Sequence, residues 1–115
     1  MKHPDERWSP LLPAEDPANN RDYTVRTKVW RWKGGSWHFA NLPARPSARI
    51  KAIFGATARG WGSIRVRLRI GDTEWATSLF PDRKSKTYLF MIKAAVRKAE
   101  DIASGDSVTV RVHII

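Results

Sequence analysis

The chain has no cysteine among its 115 residues. That excludes disulfides, thiolate zinc sites, cysteine nucleophiles and cysteine-held iron–sulfur clusters, and it fits a reducing compartment. Histidine is nearly as scarce. His3, His38 and His113 are the only three, no two stand four apart as a helical zinc motif requires, and no carboxylates cluster with them. A metal site is therefore not expected. No apolar run approaches the ~20 residues that cross a bilayer. The opening Met1-Lys2-His3-Pro4-Asp5-Glu6 leads into more prolines and acids rather than an apolar signal segment. No membrane partner is expected, and the location expected is cytoplasmic.

Catalytic signatures are missing as well. There is no Gly-x-Ser-x-Gly elbow and no Walker loop. Gly60-Trp61-Gly62 starts like a nucleotide-binding turn, but it precedes a strand instead of a helix and lacks the third glycine. Ser78, Lys93 and Arg97 include the residue types of a serine–lysine pair, with no spacing motif to support one. The expectation is no enzyme, no catalytic residues and no cofactor.

What the chain has in excess is positive charge, with 21 lysines and arginines against 11 acids and a net charge of +10. The excess is uneven. Residues 1–22 hold three basic and five acidic groups. The other 93 residues hold 18 basic and six acidic groups, a net charge of +12. Such a balance favours polyanionic partners. Residues 1–22 also contain Pro4, Pro10, Pro13 and Pro17 without hydrophobic periodicity. They are expected to form a disordered, Pro-rich tail, with Trp8, Leu11 and Leu12 as an optional anchor, because so few apolar groups cannot offset the entropy of ordering.

Residues 23–115 are expected to form one β-rich domain. Tyr23, Val25, Thr27 and Val29 alternate with Arg26, Lys28 and Trp30, the period of two of a half-buried strand. Lys33-Gly34-Gly35-Ser36 supplies a turn in which both glycines can take positive φ, and Trp37 and Phe39 share one face of the returning strand. Ser47 is read as the cap of a short helix bearing Ala48, Ile50, Ile53 and Phe54, ended by Gly55. The clearest strand follows, with Ile64, Val66, Leu68 and Ile70 on one face and Arg65, Arg67 and Arg69 on the other. Gly71-Asp72 turns it into a strand over 73–80, where Trp75, Thr77 and Leu79 share a face. A basic loop over 81–86, a strand over 87–91 and a helix over 92–102 come next. A last strand begins near Gly105-Asp106 with Val108, Val110, Val112 and Ile114 inward. Asp72 and Asp106, beside glycines, are expected to serve local turn hydrogen bonds.

Gly62–Ile70 and Gly105–Ile114 resemble each other, and each follows a helical segment that follows an apolar strand. Two strand–helix–strand halves closing one barrel account for this. Chance likeness of two amphipathic strands is the plainer account.

Several stretches also resemble one bacterial family. They are Trp37-x-Phe39-x-x-Leu42-Pro43, Trp75-x-Thr77-Ser78-Leu79-x-Pro81, Tyr88-Leu89-Phe90-Met91, and Ile92-Lys93-x-x-Val96-Arg97-Lys98-Ala99 followed by Ile102-x-x-Gly105-Asp106-x-Val108-x-Val110. The family is the small domain of unknown function that occurs alone or fused to the YdeI/OmpD-associated bacteriocin-protection domain. The resemblance spans about residues 23–115, and its last motif is the most specific. It implies a double-split β-barrel of AbrB/MazE type with both halves in one chain, and it brings no activity with it. AbrB-type relatives bind DNA as dimers, but fold analogy does not carry function. The expected fold is thus mainly β, a small double-split pseudo-barrel of two strand–helix–strand halves with two short helices, as a monomer or homodimer.

Two binding surfaces are expected. Alternate strand residues stand roughly 6.5–7 Å apart, so Arg65, Arg67 and Arg69 form a row of guanidiniums, with Arg111 and His113 on the equivalent face of the other half. Guanidinium donates two parallel hydrogen bonds to phosphate, and Trp30, Trp32 or Trp61 could add the stacking of single-strand readers. This predicts a nucleic-acid or other polyanion surface. A solvated basic face that protects a sheet edge is the plainer reading. The alternative site is a pocket for a small anionic ligand, lined by Trp37, Phe39 and Trp75 with Ser78, Lys93 and Arg97 as polar groups.

Overall fold

The computed structural model describes residues 20–115. Most of the segment expected as a tail, Trp8, Leu11 and Leu12 included, lies outside the described residues. Its last two residues belong to the barrel. Arg21 accepts a 2.8 Å hydrogen bond from the Ile114 N–H and donates one to the Ile114 carbonyl at 3.2 Å, and Asp22 opens the first strand.

The elements in chain order are β1 (Asp22–Arg31), β2 (His38–Asn41), α1 (Ala44–Phe54), β3 (Ile64–Ile70), β4 (Thr73–Asp82), β5 (Thr87–Met91), α2 (Ala94–Glu100) and β6 (Ser107–Ile114). The six strands close into a barrel in the order β1-β2-β5-β4-β3-β6, and every neighbouring pair is antiparallel. Closure leaves no free sheet edge in the ring. The period-two pattern fills the interior: Val66, Leu68, Val110, Val112 and Phe90 are wholly buried, and Leu42 and the α1 residue Ile50 belong to the same buried cluster.

The barrel has a pseudo-two-fold. Exchanging β1 with β4, β2 with β5 and β3 with β6 leaves the list of neighbours unchanged. The Leu42 N–H bonds to the Tyr88 carbonyl and the Ile92 N–H to the His38 carbonyl, both at 2.8 Å, at matching places ahead of α1 and α2. Each half carries one strand more than the sequence pattern suggests, two strands before its helix and one after.

Several local expectations change. Neither Gly34 nor Gly35 takes positive φ. Glycine serves there because the Trp32 ring lies over Gly34, where a Cβ would stand 2.4 Å from it. Gly71 does need its freedom. It connects β3 to β4 at φ +58°. Ser47 is no helix cap, since α1 starts three residues earlier at Ala44. Pro46 is tolerated there because the first-turn amides have no intrahelical acceptor. The helix over 92–102 is shorter than the apolar stripe suggests, because Asp101 turns left-handed at φ 54° and ends it. The strand expected to stop at Phe80 runs on to Asp82. The Asp82 carboxylate and carbonyl hold the following turn through the Lys84 and Lys86 N–H groups.

Candidate functional site

Strand register assembles the basic face. β3 lies between β4 and β6, and β6 lies between β3 and β1. On the outer surface Arg67 stands opposite His113, and Arg69 opposite Arg111. One strand further, Thr24 faces Arg111, Arg26 faces Thr109 and Lys28 faces Ser107. On the other flank Arg65 faces Ser78 and Arg69 faces Glu74. Arg65, Arg67, Arg69 and Arg111 therefore share one continuous surface. The arginines of the two halves are neighbours on it, not the occupants of separate equivalent faces.

Hydrogen bonds orient these side chains. The Arg65 guanidinium donates to Ser78 Oγ at 3.4 Å, Arg69 Nε to the Gly71 carbonyl at 3.1 Å, and Arg26 to Thr109 Oγ1 at 2.9 Å. Arg67 Nε lies 3.3 Å from Glu74 Oε2 with both side chains about half exposed, a pair worth ~0–1 kcal/mol. At the margin His113 Nδ1 stands 2.7 Å from Asp22 Oδ1. Arg26 and Lys28 escape a reading by sequence alone. Their alternation with Tyr23 and Val25 is visible, but that β1 neighbours β6 is not.

The expected ligand pocket does not assemble. Trp37 precedes β2 and is 61% exposed, whereas Trp75 is 8% exposed inside the barrel. Register explains the separation. Val29 pairs with Ala40 and Trp30 with Phe39, so buried His38 and Ala40 face inward and Trp37 and Phe39 face out. Ser78 belongs to the basic face. Arg97 Nε turns back onto the Ile92 carbonyl at 3.2 Å, and Lys93 is exposed at the start of α2. Among the described residues no hydrogen bond joins Ser78 to Lys93 or Arg97, and no three His, Asp or Glu side chains group to hold a metal. No helix among them is long and apolar enough to cross a membrane. Asp106 does serve its turn, accepting the Ala103 N–H at 2.8 Å.

A cleft of about 860 Å³ opens elsewhere, between α1 and the β4–β5 turn, with Lys51, Arg83 and Lys86 on its wall beside Ser47 and Tyr88. Asp82 is its one acid. Burial pushes the Asp82 carboxyl up, but hydrogen bonds from Ser85, Asn41 and two backbone amides outweigh it and hold the pKa below the usual carboxylate value. Lys51 of α1 is remote in sequence from Arg83 and Lys86 of the β4–β5 turn, so nothing in the sequence announces this convergence.

On the surface of β1, β2, β5 and β4 a second patch forms. Trp30, Phe39 and Met91 stand opposite one another across three strands, and Leu89 pairs with both Asn41 and Phe80 beside them. Trp30, Trp37, Phe80 and Met91 are all exposed.

Comparison with protein families matches residues 26–112 to one described as "Domain of unknown function (DUF1905)". Comparison with curated proteins finds no match.

Proposed function

Because the chain belongs to the family of the domain of unknown function DUF1905, whose description names no activity, we propose a function from its surface: a non-catalytic binding module for a polyanion, nucleic acid foremost. The observation that carries this is the register that sets Arg69 beside Arg111, with Arg65 and Arg67 in the same row and Arg26 one strand away. Asp22 and Glu74 are the acids among the strand residues of this face, and Glu100, Asp101 and Asp106 line the hollow beside Arg26 at one end of it. Alternate guanidiniums at roughly 6.5–7 Å suit the successive phosphates of a nucleic-acid backbone.

The pseudo-two-fold supports reading the barrel as a double-split barrel of AbrB/MazE type, and the sequence resemblance supports reading the chain as one of the domains that occur alone or with the YdeI/OmpD-associated domain. DNA binding by AbrB-type relatives raises the prior without carrying the function. A nucleic-acid partner and the absence of cysteine agree with work in the bacterial cytoplasm.

Fluorescence anisotropy with labelled DNA at about 50 and 200 mM salt tests this, with roughly hundredfold or greater loss expected across that range for four or more phosphate contacts. Arg65→Gln/Arg67→Gln/Arg69→Gln is expected to weaken binding and flatten the log–log salt slope by about three. No binding at the lower salt sinks the proposal.

A second reading, capture of a small anion, has one observation in its favour, the three cations on the cleft beside α1. Calorimetry with inorganic phosphate and Lys51→Ala/Lys86→Ala tests it, and an identical null heat in both proteins dismisses it.

A further inference from the structure

We infer that the exposed aromatic patch is the base-stacking half of the same surface, so that the ligand class is single-stranded nucleic acid rather than duplex. This rests on the polyanion reading above and narrows it.

Strand β1 leaves the basic sheet and enters the aromatic one without a break. Its residues 22–28 pair with β6 and its residues 29–31 with β2. The outward row Arg26, Lys28, Trp30 therefore runs from cations to an indole in steps of roughly 6.5–7 Å.

The rings at the end of that row are held in place. Trp30 Nε1 donates to Asn41 Oδ1 at 2.7 Å. The Asn41 amide nitrogen in turn donates to Asp82 Oδ2 at 3.0 Å and Thr87 Oγ1 at 3.1 Å. The Trp30 and Phe39 centroids lie 5.0 Å apart at 31°. With the indole N–H engaged by Asn41, Trp30 keeps 37% of its surface exposed beside Phe39 for an apolar ring contact. Fixing a ring beforehand lowers the ordering cost of binding.

Ring faces beside a cationic track are what an unpaired strand needs. Its phosphates follow the arginines and its bases stack on the aromatics, whatever their identity. A duplex keeps its bases inside and can use only the track. A protein partner is a poorer occupant, since the core of such interfaces is depleted of lysine, and Lys28 adjoins Trp30 on the outer face of the strand.

Anisotropy of a labelled oligothymidylate of about 12 nucleotides, within the site size of comparable barrels, and of a duplex of equal length tests this at low salt. The single strand is expected to bind more tightly. Trp30→Ala/Phe39→Ala is expected to weaken single-strand binding about tenfold to hundredfold with duplex binding unchanged, whereas Arg65→Gln/Arg67→Gln/Arg69→Gln weakens both. Quenching of tryptophan emission in the unaltered protein by unlabelled oligothymidylate supplies a readout that needs no variant to fold. Equal binding of the two DNAs without quenching overturns the single-strand inference and leaves the polyanion reading standing. No binding of either overturns both.

Discussion

Among single residues, Tyr23 and Tyr88 report on packing directly, because the chain has only these two tyrosines. Burial pushes both phenols above the ordinary value of 10.0, opposed at Tyr23 by the Arg49 guanidinium. In the folded protein, both tyrosines are therefore expected to be less than half ionised at pH 10. With folded-state pKa values above the unfolded ones, the tyrosines' contribution to stability is constant below about pH 10 and is lost as pH climbs through the raised values. An absorbance titration alongside thermal melts checks this. Half-ionisation at or below 10 in the folded protein contradicts the buried placement of both rings. Tyr23 lies in a strand that alternation locates and Tyr88 in one that a short apolar run locates. That Arg49 of α1 bears on Tyr23 depends on how the helix docks, which no local pattern encodes.

At the scale of elements, Ser47 ties α1 to β5. Its hydroxyl accepts the buried Tyr88 N–H at 3.1 Å and contacts the Leu42 carbonyl at 3.4 Å. Ser47→Ala leaves that amide without a partner, at a cost of about 1–3 kcal/mol. The melting temperature is expected to drop by roughly 4–8 °C per kcal/mol. Exposed Ser104→Ala is expected to change stability by less than about 0.5 kcal/mol. A melt of Ser47→Ala that matches the unaltered protein contradicts the assignment. Read locally, a serine ahead of an apolar stripe means a helix cap. Here the hydroxyl satisfies a strand amide 41 positions away, and only tertiary contact could reassign it. Strands β3 and β6 were legible without help, since strict alternation over seven or eight residues permits one pattern. The β4 end was not, because Pro81 reads as a terminator, yet β4 runs past it to Asp82. The Asp82 hydrogen bonds that hold the following turn are invisible in the periodicity.

For the whole molecule, closure depends on β6, the last strand, which pairs with both β1 and β3. The Val110 and Val112 amides are expected to exchange with solvent only through global unfolding. Their exchange free energies should equal the stability measured by denaturant. Lower values there would mean that the barrel opens at β6 first. Closure also decides which surfaces exist. It brings Arg111 beside Arg69 and Trp30 beside Phe39 and Met91, and it separates Trp75, turned inside, from Trp37.

From the chain alone came the β class, the two short helices, the internal two-fold and the basic excess, because alternation, turn residues and charge are local or additive properties. Which residues become neighbours was a matter for the tertiary structure. The four arginines were each legible as outward-facing, but their adjacency follows from strand order. The expected pocket required residues from β4, α2 and the β1–β2 hairpin to converge. Register, a relation between strands, turned them to different sides of the barrel.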